Sequence, residues 1–224
     1  MVDKAAAVET AKESAQEPAQ QSAQPSAQPS AQEPAQWTIS APTPWDSSSL
    51  AGLVSVLRED YEALDTSWLA PGYLALAVHR IGTWVESDGP PRLLRRPAAV
   101  LHKILLGYVR SFLGFEIHKS VPIGRRVRFH HQHGVVVSST CVIGDDCVFH
   151  HNVSLVHRRR AESPKNLYTA PQIGSGVNLG TGCVVLGGVR IGDGATIGPN
   201  AIVTMDVPPG ASVVSQPGRI LRIH

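Results

Sequence analysis

Apolar residues change their spacing along this chain, and each spacing predicts a different element. Leu50, Leu53, Val54, Leu57, Tyr61 and Leu64 recur at intervals of three and four, with Ser47 to Ser49 ahead of them as candidate N-caps. That is the pattern of an amphipathic helix. A second helix is predicted from Pro71, carrying Leu74, Val78, Ile81 and Val85 and stopping at the DGPP of 88–91. A third runs from Pro97 through Val100, Leu101, Ile104, Leu105, Tyr108, Val109 and Phe112, and ends at Gly114. Three such helices make a cap rather than a domain, and their apolar stripes are expected to bury against the C-terminal half of the chain.

That half has another period. Ile173, Leu179, Val185, Ile191, Ile197 and Val203 stand at a strict interval of six. Four places after each comes a small or β-branched residue: Val177, Cys183, Val189, Ala195, Ala201 and Val207. The same frame runs through Ile117, Ile123, Phe129 and Val135, shifts by two, and resumes at Ile143, Phe149 and Leu155. A helix repeats at 3.6 and a lone strand at 2, so neither gives six; a parallel β-helix does. Six residues supply one short strand and a corner, and three such units close a triangular coil of about 18 residues. The aliphatic fills the interior, and the small residue fits the tight corner. Cys147 and Cys183 occupy that small slot as compact hydrophobes.

Composition adds boundaries. Residues 1–45 are dominated by Ala, Gln, Ser, Pro and Glu, with SAQPSAQPSAQEPAQ at their centre, and are expected to be a disordered tail. The helical cap then covers 46–115, the β-helix 116–215, and a C-terminal extension 216–224. A net charge of +2 over 224 residues argues for neither a nucleic-acid surface nor a polybasic anchor. Three cysteines without a CxxC pair speak against a disulfide framework and make a reducing cytoplasm the simplest compartment. The N-terminus has no apolar core of a secretory signal, and no uninterrupted apolar run is long enough for a membrane span.

The candidate chemistry lies in FHHQHG (129–134) and FHHNVS (149–154). Phe129 and Phe149 are equivalent interior positions, and their offset of twenty equals one coil plus the two-residue shift. His131 and His151 therefore belong on neighbouring coils near one edge. Three readings stand side by side. They are exposed side chains on a tolerant scaffold, or imidazoles converging on zinc, or a general base that needs a carboxylate to orient it. Glu116, fifteen residues before His131, is the candidate carboxylate.

Residues from about 50 to 222 resemble the serine O-acetyltransferases of the hexapeptide-repeat acyltransferases. LREDYEALD and PGYLALAVHRIGTWV are similar to that family's helical segment, and FEIHKSVPIGRRVRFHHQHGVVVSST to its "(D/E)IHPxAxIGxGxxxDHxxGxVxGET". VPPGASVVSQPGRIL resembles its "VPPxxxxxGxPARI" ending. The resemblance implies a left-handed parallel β-helix, an exception to right-handed crossover, assembled as a homotrimer or a dimer of trimers. It implies acetyl-CoA as acyl donor, a small-molecule acceptor, and no metal.

It also assigns roles. His131 matches the catalytic histidine and Glu116 its acidic partner. Acetyl-CoA is expected along the C-terminal coils near Thr181, Thr196 and Pro199, with Arg219 or Arg222 on its phosphates. Asp65 corresponds to an aspartate of the helical segment that binds serine.

The departures concern the acceptor. His130 stands where the family has the aspartate that meets serine's amino group. The glycine-rich loop with an Arg-His pair is replaced by SLVHRRRAESPKNLYTAPQI, in which Thr169 and Ala170 take the place of the pair. Arg158, Arg159 and Arg160 are candidates to hold an anionic acceptor or CoA phosphates; a solvated basic loop is the other reading. The expected function is acetyl transfer to a small hydroxyl, L-serine by resemblance. The alternatives are another hydroxyl or amine acceptor, a non-catalytic β-helix that serves assembly, and a metal-dependent hydratase.

Overall fold

The computed structural model describes residues 37–64, 69–87, 89–131, 133–159 and 168–218. The expected tail through residue 36 lies outside them, as do Asp65, Arg160, Arg219 and Arg222.

Helix α1 (Leu50–Glu62) starts where Ser49, in extended backbone, accepts the Gly52 N–H on its hydroxyl at 3.0 Å, satisfying one of the free donors of the first turn. Its buried face is Leu53, Val56 and Asp60, one step round from the expected stripe, so Leu50 and Val54 face outward. Helix α2 (Pro71–Glu86) opens on a proline, whose missing N–H costs nothing in the first turn. It buries Ala75, Leu76, Val78 and Val85, with His79 and Arg80 among them.

Helix α3 (Arg92–Tyr108) begins before Pro97, which lies inside it, and continues as a single π-helical stretch, Val109–Leu113, into Gly114 at φ 68°. Here the expected burial is overturned for most of the stripe: Val100, Leu101, Ile104, Tyr108 and Phe112 are exposed. Val109 and Leu113 are buried, with Leu105 and Leu106 packed beside them. The helix has two apolar faces, and only one can meet the β-helix.

The six-residue frame builds three parallel faces. The first stacks Phe115–Ile117, Val135–Val137, Ser154–Val156, Val184–Leu186 and Ile202–Val203. The second stacks Val142–Ile143, Gln172–Ile173 and Arg190–Ile191, extended by bridges at Ile123 and Val207. The third stacks Arg128–Phe129, Val148–Phe149, Asn178–Leu179, Thr196–Ile197 and Ser212–Val213. Every aliphatic of the 173–203 series, and every small residue four places on, is buried. Cys141, Cys147 and Cys183 are free thiols in the interior, where burial pushes each up to about 12. The upper coils are filled by Phe115, Phe129 and Phe149, with ring centroids 5.5 and 5.0 Å apart along the stack.

Two devices hold other segments to this core. Buried Arg80 pairs with buried Asp60 (Nε to Oδ2, 2.9 Å) and donates to the carbonyls of Ile123, at 2.7 Å, and Gly124. Asp60 also accepts the Arg126 N–H at 3.0 Å, so one buried ion pair ties α1 and α2 to the first coil.

The second device is an extended strap, residues 37–49, along the corner between the second and third faces. The Ser40 N–H donates to Asp193 at 3.1 Å and the Thr43 N–H to Asp145 at 2.9 Å, while the guanidinium of Arg190 lies 5.2 Å from the Trp37 ring. Residues 37–45 fall within the stretch read from composition as tail, so the ordered chain begins at least as early as Trp37.

Candidate active site

Between the third and first faces the chain turns a corner four times, at 130–134, 150–153, 180–183 and 198–201. The first of these is the long one. Phe129 stacks on Phe149 and Val137 on Leu155, a gap of eight residues on one coil against six on the next. The two extra residues of the repeat are therefore spent in the corner that carries His131.

That corner holds an unusual backbone: His131, His133 and Gly134 all have positive φ, at 64°, 78° and 76°. For the non-glycine residues this is strained geometry that surrounding contacts must hold. Some of those contacts are visible. The His130 N–H donates to the Phe149 carbonyl at 2.7 Å, Gly134 N–H to Gly114 carbonyl at 2.9 Å, and Asn152 N–H to His133 carbonyl at 3.0 Å. A Cβ at Gly134 would come within 2.0 Å of Asn152 Oδ1, so the position requires glycine.

The imidazoles gather as the spacing predicted, with one addition. His131 and His151 lie edge to face with centroids 5.7 Å apart. His130 stacks on His150 at 5.7 Å, and His131 is 6.3 Å from His150. Burial holds His150 below the ordinary histidine range, and the neighbouring His130, His131 and His151 add to the effect. Among the described residues, no group of three or more His, Cys, Asp or Glu is arranged to hold a metal ion.

An open cleft of about 740 Å³ lies against this edge, lined by His130, His131, His151, Phe129 and the Leu64, Ala70, Pro71 and Gly72 segment that leads into α2. The close approach comes from Gly72, where a Cβ would stand 2.4 Å from the Phe129 carbonyl oxygen. Sequence spacing did not point to this wall; the signal present was the Pro71-Gly72 pair opening a helix. All described lining side chains are apolar or imidazole.

The other expected site residues fall in two groups. Thr181 and Pro199 sit in the lower corners of the histidine edge, and Thr196 is exposed on the adjoining third face. Glu116 and Arg158 are elsewhere. Glu116 points outward from the first face and pairs with Arg110 at 2.6 Å; no hydrogen bond joins it to His131. Arg158 is exposed in a two-stranded antiparallel hairpin, Arg158–Arg159 with Tyr168–Thr169, rooted at the corner between the first and second faces. A single chain thus assembles the imidazoles and the coil edge, and leaves the acid and the basic hairpin apart from them.

Residues 170–204 match the family model described as bacterial transferase hexapeptide, six repeats. The chain is 36% identical over 159 residues to a serine acetyltransferase of Mycobacterium tuberculosis, covering 71% of this chain and 64% of that protein. It is 33% identical over 168 residues to WcaB of Escherichia coli K12, assigned to colanic acid biosynthesis as an acetyltransferase, with 73% of this chain and 98% of that one covered. The structure of soybean serine acetyltransferase complexed with serine superposes with a TM-score of 0.58 at 30% identity, over 75% of this chain and 69% of that one.

Proposed function

The chain belongs to the serine acetyltransferase family of hexapeptide-repeat transferases, and from that premise we propose that it is an acetyl-CoA-dependent O-acetyltransferase with His131 as general base. The observation that carries this reading is the lengthened corner, which presents His131 to an open cleft beside two further imidazoles. We infer the left-handed winding and the trimer, or dimer of trimers, from the same membership. A reducing, cytoplasmic location is inferred from the three free interior thiols.

The mechanism uses few groups. His131 takes the proton of the acceptor hydroxyl as its oxygen attacks the thioester carbonyl of acetyl-CoA. Backbone N–H groups beside the coils stabilise the oxyanion. The intermediate collapses by breaking the C–S bond, and the imidazolium returns its proton to the CoA thiolate. The products are an O-acetyl ester and CoA.

Thr181, Thr196 and Pro199 line the path we assign to the CoA arm, and Arg219 its phosphates. Glu116 is the acid that orients His131. Its pair with Arg110 is about half exposed on both sides, so exchanging that partner within an assembled trimer costs about 1 kcal/mol or less. His130, Asp65 and Arg158 are the residues we assign to the acceptor, Arg158 arriving from a neighbouring subunit.

L-serine is the acceptor that family membership favours. A second reading, a hydroxyl acceptor without an ammonium group, is favoured by His130, which stands where the family has the aspartate that meets serine's amino group, and by the likeness to WcaB over 98% of that chain. A screen of L-serine and of sugar hydroxyls, read by CoA thiol release, separates them. Saturable turnover of serine supports the first reading and turnover of sugars alone the second; no acceptor-dependent release from any of them overturns both.

A further inference from the structure

The strap ahead of α1 is extended because its sequence leaves it little choice. In ISAPTPW (39–45) Pro42 and Pro44 carry no N–H, and each pushes the residue before it out of helical backbone. The coils offer such a segment a ladder. Asp145, Ser175 and Asp193 hold one corner position on three successive coils, two places after the stacked Ile143, Ile173 and Ile191. Both carboxylates are aimed by the coil itself, Asp145 by the Arg125 N–H at 2.9 Å and Asp193 by the Ser175 N–H at 2.8 Å.

The spacings of strap and ladder agree. Asp145 and Asp193 are two coils apart, roughly 9.6 Å, and three residues of extended chain span about 10 Å. Ser40 and Thr43 are three residues apart, and each meets its carboxylate with both the backbone N–H and the side-chain hydroxyl. Burial works to raise both carboxyls, but the bonds from Thr43 and Arg125, and from Ser40 and Ser175, outweigh it and hold both below the usual carboxylate range. The strap therefore bonds to charged acceptors, which makes each contact stronger than a neutral one.

What the strap holds is the near end of α1. The Ser87 hydroxyl donates to the Ser47 carbonyl, and Gly52 lies so close that a Cβ there would stand 2.0 Å from the Asp46 carbonyl oxygen. The Asp60–Arg80 pair pins the other end of the helix, about 16 Å along its axis. One pin leaves a helix free to pivot, and a second stops it. The far end carries the cleft wall. Tyr73, beside Gly72, donates to the Leu57 carbonyl at 3.3 Å and packs edge to face on Tyr61 at 5.7 Å, and Leu64 lines the cleft itself.

We propose that the strap is a clasp that sets the wall of the His131 cleft. With Ser40 and Thr43 on the corner carboxylates, α1 and the head of α2 close against the histidine edge; with the clasp open, that wall swings away and the acceptor is held less well. Ser40 and Thr43 are thus positioning residues that act through α1. Their effect on the acceptor rests on the acetyl-transfer reading, and the clasp itself does not.

The test compares two double variants of the full chain. Ser40→Asp with Thr43→Asp sets a carboxylate against each corner carboxylate and opens the clasp by like-charge repulsion; Ser40→Thr with Thr43→Ser keeps both hydroxyls. In the first, hydrogen exchange is expected to quicken at 50–64 and 69–76 and to stay at wild-type rates at 173–203. Acceptor KM is expected to rise about tenfold, because only the clasped fraction binds acceptor well, with kcat, calorimetric acetyl-CoA affinity and sedimentation unchanged. The second is expected to match wild type in every readout. Wild-type exchange at 50–64 and 69–76 in the first variant overturns the clasp, and quickened exchange with an unchanged KM overturns its link to the cleft. If the wild-type chain turns over no acceptor, the acetyl-transfer reading fails and exchange at 69–76 alone decides the clasp.

Discussion

His79 is 6% exposed on α2, and its environment makes it a residue-scale probe of the cap. Burial first, then the neighbouring Arg80 cation, lowers its pKa to about 3, with His102 acting in the same direction. The folded state therefore binds no proton there while the unfolded chain, near 6.5, does. Stability from this group is whole above about pH 6.5 and drains away as pH falls toward 3. Between pH 7.5 and 5.5 the loss is about 1.4 kcal/mol. Urea midpoints at fixed protein concentration should show His79→Leu to be less pH-dependent than wild type by about that amount; identical slopes would remove the assignment. At this scale the sequence was a good guide to interior positions. Each slot of the six-residue repeat meets the same surroundings, which is why Cys147 and Cys183 could be placed inside, while Cys141, also buried, was not placed. Glu116 was a different matter. Its position on the first coil was legible, but its partner, Arg110, is set by how the π-helical end of α3 turns into that coil, and spacing carries no such information.

Among elements, the join between cap and coil rests on the Arg80–Asp60 pair. Burial raises the Asp60 pKa, the Arg80 cation opposes it, and both side chains are essentially sealed from water. Arg80→Met removes one partner and leaves a buried carboxylate plus two unanswered carbonyls, at Ile123 and Gly124. The expected cost is about 3–5 kcal/mol in chemical denaturation, whereas replacing exposed Arg58, paired with Glu62, should cost under about 0.5 kcal/mol. Equal effects would contradict the role given to the buried pair. The helices themselves were legible in existence more than in orientation. In α1 the buried face is turned by one residue, because burying Asp60 for Arg80 fixes the phase. In α3 the stripe is real but outward, since periodicity measures amphipathicity and does not say which partner meets the apolar side. The strap from Trp37 was hidden by the composition of the segment before it; its contacts are hydrogen bonds to corner aspartates and a ring under Arg190, which leave no periodic trace.

For the whole molecule, the six-residue period, the two-residue shift and the paired histidine phrases together led to the edge on which the imidazoles are found. The shift is legible, but the spacing puts it one strand too late, between Val135 and Ile143. Val137, not Val135, stacks on Ile117 and Leu155, so the extra residues lie between Phe129 and Val137 and form the corner that exposes His131. What one chain does not complete is the constellation around it, with Glu116 facing outward on the first face and Arg158 rooted at another corner. A trimeric assembly is the proposed remedy. The most direct measurement is the rate of CoA thiol release by His131→Ala on the best acceptor from the screen, with acetyl-CoA binding followed by calorimetry. With His131 as the base, kcat/KM is expected to fall by about 10²–10⁴ while acetyl-CoA affinity and oligomeric state stay unchanged; wild-type turnover in that variant would contradict it.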